Sequence, residues 1–330
     1  MKAWLLEGLG GLDRLRLGEI ADPRPGRDEV VLRVHYAALN PADRYLAEGQ
    51  YPARPSFPHI LGRDGIGTVV DVGDDVGDWK IGDRALLLRS DVGVNRHGTF
   101  AEKVALPVAS LTNIPPGWSE PEAAAAPLVY LTAYQALTQF GELPAGQIVL
   151  ITGASGGVGV ASIHLAKAMG HTVIAMSRGT AKMDALMKLG ANFVLDPNDP
   201  TWRKKIKELT AGKRVNLAID NIGGSLFSDV VDSLDHNGRV ACVGRLAGPV
   251  PQFNTASLFF RRITIKGVHV GDFTPPQAQA AWSQTLKLLD GAGVRPIVDQ
   301  IFPFERLIDA FEHLRQGPLG KVLLAVHNVK

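Results

Sequence analysis

Seven residues, Gly153-Ala154-Ser155-Gly156-Gly157-Val158-Gly159, stand between an apolar run, Ile148-Val149-Leu150-Ile151-Thr152, and a segment that reads as a helix, Val160 to Gly170. That order of buried strand, glycine turn and helix suits a pyrophosphate. Glycines let the backbone bend tightly and come close to the phosphates, and the free amides that open the helix favour their charge. Against the dinucleotide fingerprint GxGxxG, Ala154 replaces the first glycine while Gly156 and Gly159 stay in register. Ala154, Ser155, Gly156, Gly157 and Val158 are therefore candidate dinucleotide contacts; the competing reading is an ordinary strand-to-helix turn.

The next apolar run, His171 to Met176, ends at Ser177-Arg178, roughly twenty residues past the glycines, where an NAD site places Asp or Glu on the ribose hydroxyls. No acid stands there. Arg178 and Lys182 can pair with a 2′-phosphate, and Ser177 can donate to one of its oxygens. The expected cofactor is NADPH rather than NADH. The competing reading makes Arg178 and Lys182 solvated charges at a helix start.

These residues need a parallel sheet to position them, and the surrounding pattern predicts one. From Gly146 onward, short aliphatic runs alternate with amphipathic segments, which places strands near 148–152, 172–176, 193–195, 215–220, 239–244 and 263–268. Residues 1 to about 120 instead read as short strands broken by glycine and proline, such as Val30 to Tyr36 and Gly67 to Gly73. The alanine-rich stretch Glu120 to Ala126 marks the change. The tail offers helices near 276–290 and 304–315 and strands near 297–301 and 321–326, and is expected to rejoin the first region. The predicted division is 1–124, 125–270 and 271–330, with a cleft between two domains, as 330 residues allow.

Composition narrows the class further. Lys and Arg number 35 against 33 acids, a formal net charge of +2, with the charges interspersed, so nucleic acid is not an expected partner. Glu7 interrupts the opening apolar residues before a signal-length core forms, and no window nears the ~18 apolar residues of a membrane span. A single cysteine, Cys242, rules out an internal disulfide, and a reducing, cytoplasmic setting suits the chain. Within the run Val240 to Val243 it reads as a small buried side chain.

Several blocks resemble the medium-chain dehydrogenase/reductase superfamily, in its zeta-crystallin-like quinone oxidoreductase branch, over essentially the whole chain. They are Asn40-Pro41-Ala42-Asp43-Arg44-Tyr45 with Gly49-Gln50-Tyr51-Pro52, Leu61 to Val69, Gly98 to Glu102, Pro127 to Tyr134, the glycine turn, Asp220 to Gly224, and Gly320-Lys321-Val322. The resemblance implies a GroES-like β-rich catalytic domain plus a doubly wound Rossmann domain with a parallel sheet, and a homodimer formed through the last Rossmann strand, Ile263 to Val268. It places Thr132 and Val243-Gly244-Arg245 beside the nicotinamide half of the cofactor. It also implies that Asn40 to Tyr51 lines the substrate cleft.

Zinc-dependent members of that superfamily hold a catalytic metal with two cysteines and a histidine. By alignment those positions are Asn40, Arg63 and a residue near Leu128, so no metal is expected. His59, Asp43 and Asp64 remain as oxygen and nitrogen donors, and Arg63 is expected to bridge Asp43 or Asp64 in place of a cation. Without a Lewis acid, the favoured hydride acceptor is one already activated by conjugation, a quinone or an α,β-unsaturated carbonyl. In this reading Asn40 orients cofactor or substrate, Tyr51 donates a proton or stabilises the oxyanion, and Tyr45 lines the pocket. Tyr51 and Tyr45 can instead be loop packing, and Asn40 a turn former. Two rival functions stay open, an enoyl-thioester reductase and a non-catalytic NADPH-binding or sensor protein. Asp196-Pro197, where many relatives carry a tyrosine near the adenosine phosphate, departs from the pattern. No role is assigned to Arg89, Asp91 and Arg96.

Overall fold

The structure, a computed structural model of the chain, describes residues 1–89, 91–141 and 143–327. Two units are present: Met1–Leu128 with Gly271–Ala280 and Arg295–Lys330, and Val129–Val270 with Ala281–Val294. The division falls at Leu128, four residues past the expected boundary, and the helix Pro275–Ala292 is shared between the units.

The first unit opens with β1 (Lys2–Leu6) and β2 (Leu15–Glu19), an antiparallel pair extended by β4 (His59–Ile60). Between them in sequence run β3 (Glu29–Ala38) and the short helix α1 (Pro41–Ala47). Then follow β5 (Asp64–Val72), β6 (Arg84–Leu87), β7 (Lys103–Pro107) and β8 (Leu111–Thr112). β3 is the hub, pairing antiparallel with both β5 and β7. Its register slips at His35, whose ring is turned to Glu120 at 2.8 Å and Thr68 at 3.1 Å. The local code of α1 is explicit. Pro41 has the fixed φ suited to a first helical turn, Asp43 reaches back to the Asn40 amide at 2.8 Å, and Gly49 leaves with φ +72.

Helices α2 (Glu120–Ala124) and α3 (Pro127–Thr138) lead into the second unit. Its elements alternate: β9 (Ile148–Ile151), α4 (Gly157–Ala168), β10 (Thr172–Met176), α5 (Met183–Lys188), β11 (Phe193–Leu195), α6 (Trp202–Leu209), β12 (Val215–Asp220), α7 (Leu226–Ser233), β13 (Leu234–Cys242), α8 (Ala256–Arg261) and β14 (Thr264–Gly267). All six strands are parallel, in the order β11-β10-β9-β12-β13-β14. Every residue of β9 is buried, as expected of a strand covered on both faces. The strand order reverses between β9 and β12, so the carboxyl ends of these two strands form the topological switch point.

After α9 (Pro275–Ala292), β15 (Val298–Pro303), α10 (Leu307–Arg315) and β16 (Lys321–Ala325) complete the chain. β16 lies antiparallel to β3 with Leu324 opposite Ala37, so the tail joins the first unit's sheet. Both units therefore agree with the predicted α/β class of a GroES-like β-rich region and a doubly wound sheet.

Candidate active site

In the second unit, the loops that leave β9, β12 and β13 are bonded together at the switch point. Asp220, buried at the end of β12, accepts from the Thr152 hydroxyl at 2.7 Å and from the Ile222 and Gly223 amides at 3.1 and 3.2 Å. Asn221 donates to the Thr152 carbonyl at 2.8 Å, and the amides of Val243 and Gly244 return to the Asp220 carbonyl. The glycine turn, the Asp220 to Gly224 segment and Val243-Gly244 thus form one rigid seat. In sequence Thr152 reads only as part of the strand, and Asp220 and Asn221 carry no assigned chemistry; the available signal is an acid closing an otherwise aliphatic run.

That seat fits a pyrophosphate. A Cβ on Gly159 would lie 2.5 Å from the Gly153 carbonyl, so this glycine is required by the packing of α4 on its strand. Gly156 is different. Its φ of −73° suits any residue, and a Cβ there would meet nothing closer than 3.6 Å. The protein's own packing makes no demand for glycine at 156, whereas close approach of a phosphate to the backbone does. Asn221 Oδ1 is buried without a hydrogen-bond partner among the described residues; as an acceptor it suits a hydroxyl or amide donor of a ligand and not a phosphate oxygen. Ser155, Gly156, Gly157 and Val158 are partly accessible, while Ala154 is buried with its amide on the Met176 carbonyl.

At the end of β10, Ser177 is buried with its amide on the Leu195 carbonyl, and Arg178 is exposed. Lys182 extends to Ser155 Oγ at 3.4 Å, so it stands over the turn. Asp196 turns one oxygen to the Gly179 amide and the other to the Asn198 amide, both at 2.9 Å, so both carboxylate oxygens are engaged by backbone. Thr132 lies partly buried on α3, and Arg245 follows Gly244 on the same seat. Cys242 is partly buried, and burial together with the nearby Asp220 charge pushes its thiol up to about 11, so it stays protonated.

In the first unit two of the aligned metal-ligand positions, Asn40 and Leu128, meet at Asp64 beside a buried lysine. Lys321, first residue of β16 and buried, donates to the Leu39 carbonyl at 2.8 Å, to Asn40 Oδ1 at 2.7 Å and to Asp64 Oδ2 at 3.3 Å. Asn40 Nδ2 donates in turn to Asp64 Oδ2 at 2.9 Å, and the Leu128 amide donates to Asp64 Oδ1 at 3.2 Å. Of the two acids expected to take Arg63, Asp64 is paired with Lys321, and Asp43 is the one that Arg63 opposes. The Asn40 amide is engaged by Lys321 and Asp64. A lysine heading the apolar run Val322-Leu323-Leu324 was the available signal, since a charge on a core strand needs a buried partner.

Arg63 also serves the tyrosine. Its Nη1 donates to the Tyr51 hydroxyl at 3.1 Å, and its guanidinium carbon is 5.4 Å from the Tyr51 ring centroid. Tyr45 lies on α1, partly buried, with Arg44 5.7 Å from its ring centroid. Asp43 is fully buried, and burial pushes its carboxyl up to about 7 against the opposing Arg63 charge. Arg89 donates to the Gly271 carbonyl and Arg96 pairs with Glu29, both fold contacts. Among the described residues no three His, Cys, Asp or Glu side chains converge, and a buried ammonium among Asn40, Asp64 and Leu128 does not suit a cation.

Two family descriptions match the chain: the Alcohol dehydrogenase GroES-like domain over residues 26–116 and the Zinc-binding dehydrogenase family over 157–291. The human synaptic vesicle membrane protein VAT-1 homolog is 30% identical over 345 residues, covering 98% of this chain and 86% of that protein. The quinone oxidoreductase of Sus scrofa is 29% identical, covering 96% and 94%. The solved structure of a mycobacterial protein complexed with NADPH superposes with a TM-score of 0.89 at 25% identity, covering 99% of this chain and 100% of that one. No helix among the described residues is long and apolar enough to cross a membrane.

Proposed function

Because the chain belongs to the medium-chain dehydrogenase/reductase superfamily, we propose that it is a zinc-independent, NADPH-dependent reductase of quinones or α,β-unsaturated carbonyls. The observation that carries this reading is the buried Lys321 ammonium bonded to Asn40 and Asp64. An ammonium offers no lone pair to a metal, and the positions aligned with the ligands of zinc-dependent relatives carry an amide, a guanidinium and an alkyl side chain. A substrate that supplies its own electrophile suits such a site, and conjugated carbonyls do so.

NADPH bound at the switch point would supply the hydride. The chain's own residues would do the rest. Gly156, Gly157 and Val158 offer backbone amides to the pyrophosphate. Arg178 and Lys182 provide charge for a 2′-phosphate, and Ser177-Arg178 in place of an acid at the end of β10 supports the choice of NADPH. Thr132 and Val243 to Arg245 would flank the nicotinamide. Arg63 fills one side of the Tyr51 oxygen, which turns the phenolic hydrogen outward as a donor to a carbonyl oxygen that gathers charge. Tyr45 would line the pocket. A homodimer is supported by β14, an edge strand with exposed residues, and by the exposed Phe259 and Phe260 just before it.

The test is steady-state oxidation of NADPH and of NADH over quinones, enals, enones and crotonyl thioesters. Turnover of naphthoquinones or simple enones with preference for NADPH supports the proposal. Turnover of thioesters alone favours the enoyl-thioester rival, and saturable NADPH binding without turnover of any acceptor favours a binding protein.

A further inference from the structure

The even mixing of charge breaks down in one stretch of the second unit. Arg203, Lys204, Lys205, Lys207, Lys213 and Arg214 lie within twelve residues, with Glu208 the sole acid among them. The apolar side chains of α6, Trp202 and Ile206, are buried in the core, so the cations cover the outside of the helix. Beside them is an open cleft of about 370 Å³ lined by Arg203, Lys204, Lys207, Arg214, Asp232 and Ser233.

The charges in this cleft are not balanced one to one. Arg203 is 3.3 Å from one Asp232 oxygen and Arg261 is 3.1 Å from the other, while Arg214 donates to the Asp232 backbone carbonyl. Asp229 gives Arg203 a second partner at 3.2 Å. The Lys207 ammonium pairs with no carboxylate among the described residues. Arg214 is partly buried and pinned, since its Nε also donates to the Leu234 carbonyl at 2.7 Å. Its Nη1 donates to nothing among the described residues. Burial and the nearby Arg261 and Arg203 charges disfavour its cationic form, which an incoming anion would relieve.

The cleft is not part of the dinucleotide seat. Arg214 immediately precedes β12, whereas the glycine turn follows the carboxyl end of β9, and these strands run parallel. The two sites thus lie at opposite ends of neighbouring parallel strands.

We propose that this cleft is a second anion site, which binds the phosphate group of a soluble phosphate monoester. A guanidinium edge fixed by two carbonyls, with a free ammonium across a concave opening, matches a compact dianion. The volume falls within the ~300–1,000 Å³ of small-molecule sites. A single strand of nucleic acid would call for aromatic stacking platforms, and the only aromatic residue of α6, Trp202, is buried. A membrane surface would call for an exposed apolar face, and that of α6 is turned to the core.

The test is isothermal titration of the full chain with inorganic phosphate and with glycerol 3-phosphate at constant ionic strength, repeated on Lys207→Glu and on Arg178→Ala. Lys207 is exposed and unpaired, so its reversal leaves folding intact, and circular dichroism checks this. The expected result is saturable binding that Lys207→Glu weakens at least tenfold and Arg178→Ala leaves unchanged, with NADPH oxidation by Lys207→Glu equal to the parent. Absence of saturable binding, equal binding by Lys207→Glu, or capture on anionic lipid vesicles without soluble binding overturns the proposal. None of these outcomes bears on the reductase reading.

Discussion

The Lys321 ammonium lies 2.7 Å from Asn40 Oδ1, joining residues 281 positions apart, and both side chains are buried. Lys321 also reaches Asp64, so its removal would strand a buried carboxylate with one amide and one backbone donor. Breaking a buried pair on one side costs about 3–5 kcal/mol. Lys321→Met is expected to lose that much in urea unfolding, and a loss within measurement error would show that Asp64 is held by its other donors.

Gly156 and Gly159 are expected to fail in different ways when replaced by alanine. A Cβ at 159 would intrude on the Gly153 carbonyl at 2.5 Å, and overpacking of that kind costs about 1–3 kcal/mol. A Cβ at 156 has room, so stability should stay within about 0.5 kcal/mol of the parent. NADPH affinity should nevertheless fall for Gly156→Ala. Thermal unfolding and fluorescence titration of both variants separate the two roles; unchanged affinity for Gly156→Ala would mean that nothing approaches the backbone there.

Tyr51 should matter to turnover and little to cofactor binding. Tyr51→Phe removes the phenolic hydrogen but keeps the ring under Arg63, so kcat for a naphthoquinone or enone is expected to drop roughly tenfold or more. The Michaelis constant for NADPH should hardly move. Unchanged kcat would reduce Tyr51 to a packing role.

Asp43 should impose a pH dependence on folding. Its carboxyl titrates near its ordinary value of 3.8 in the unfolded chain and at about 7 in the folded protein, so between those values the folded state holds the extra proton. Its contribution to stability therefore declines as pH rises from about 4 to about 7, then levels. Asp43→Asn removes this decline. Relative to the parent, the variant should gain stability between pH 4.5 and pH 8 in urea unfolding, and parallel pH curves would refute the assignment.

The second unit was readable in sequence because each parallel strand, covered on both faces, is a continuous aliphatic run. The stretches 148–152, 172–176 and 215–220 coincide with β9, β10 and β12 to within a residue. Only β13 begins earlier than expected, at Leu234, through polar residues that carry no such run. Helix α1 is seven residues long, too short for periodicity, and is made by its cap. The candidate site was legible as residue types and not as partners. Asn40, Arg63 and Tyr51 stand out in sequence, but Lys321 comes from the far end of the chain, 257 residues beyond Asp64. The apolar run after Lys321 marks it as a charge that needs a buried partner, but nothing local names Asp64 as that partner.

The most direct measurement is NADPH oxidation with a naphthoquinone before and after exhaustive chelation, with zinc quantified on the same sample. Full turnover is expected from protein carrying far less than one zinc per chain, with no gain when zinc is added. Turnover that disappears with chelation and returns with stoichiometric zinc would contradict zinc independence.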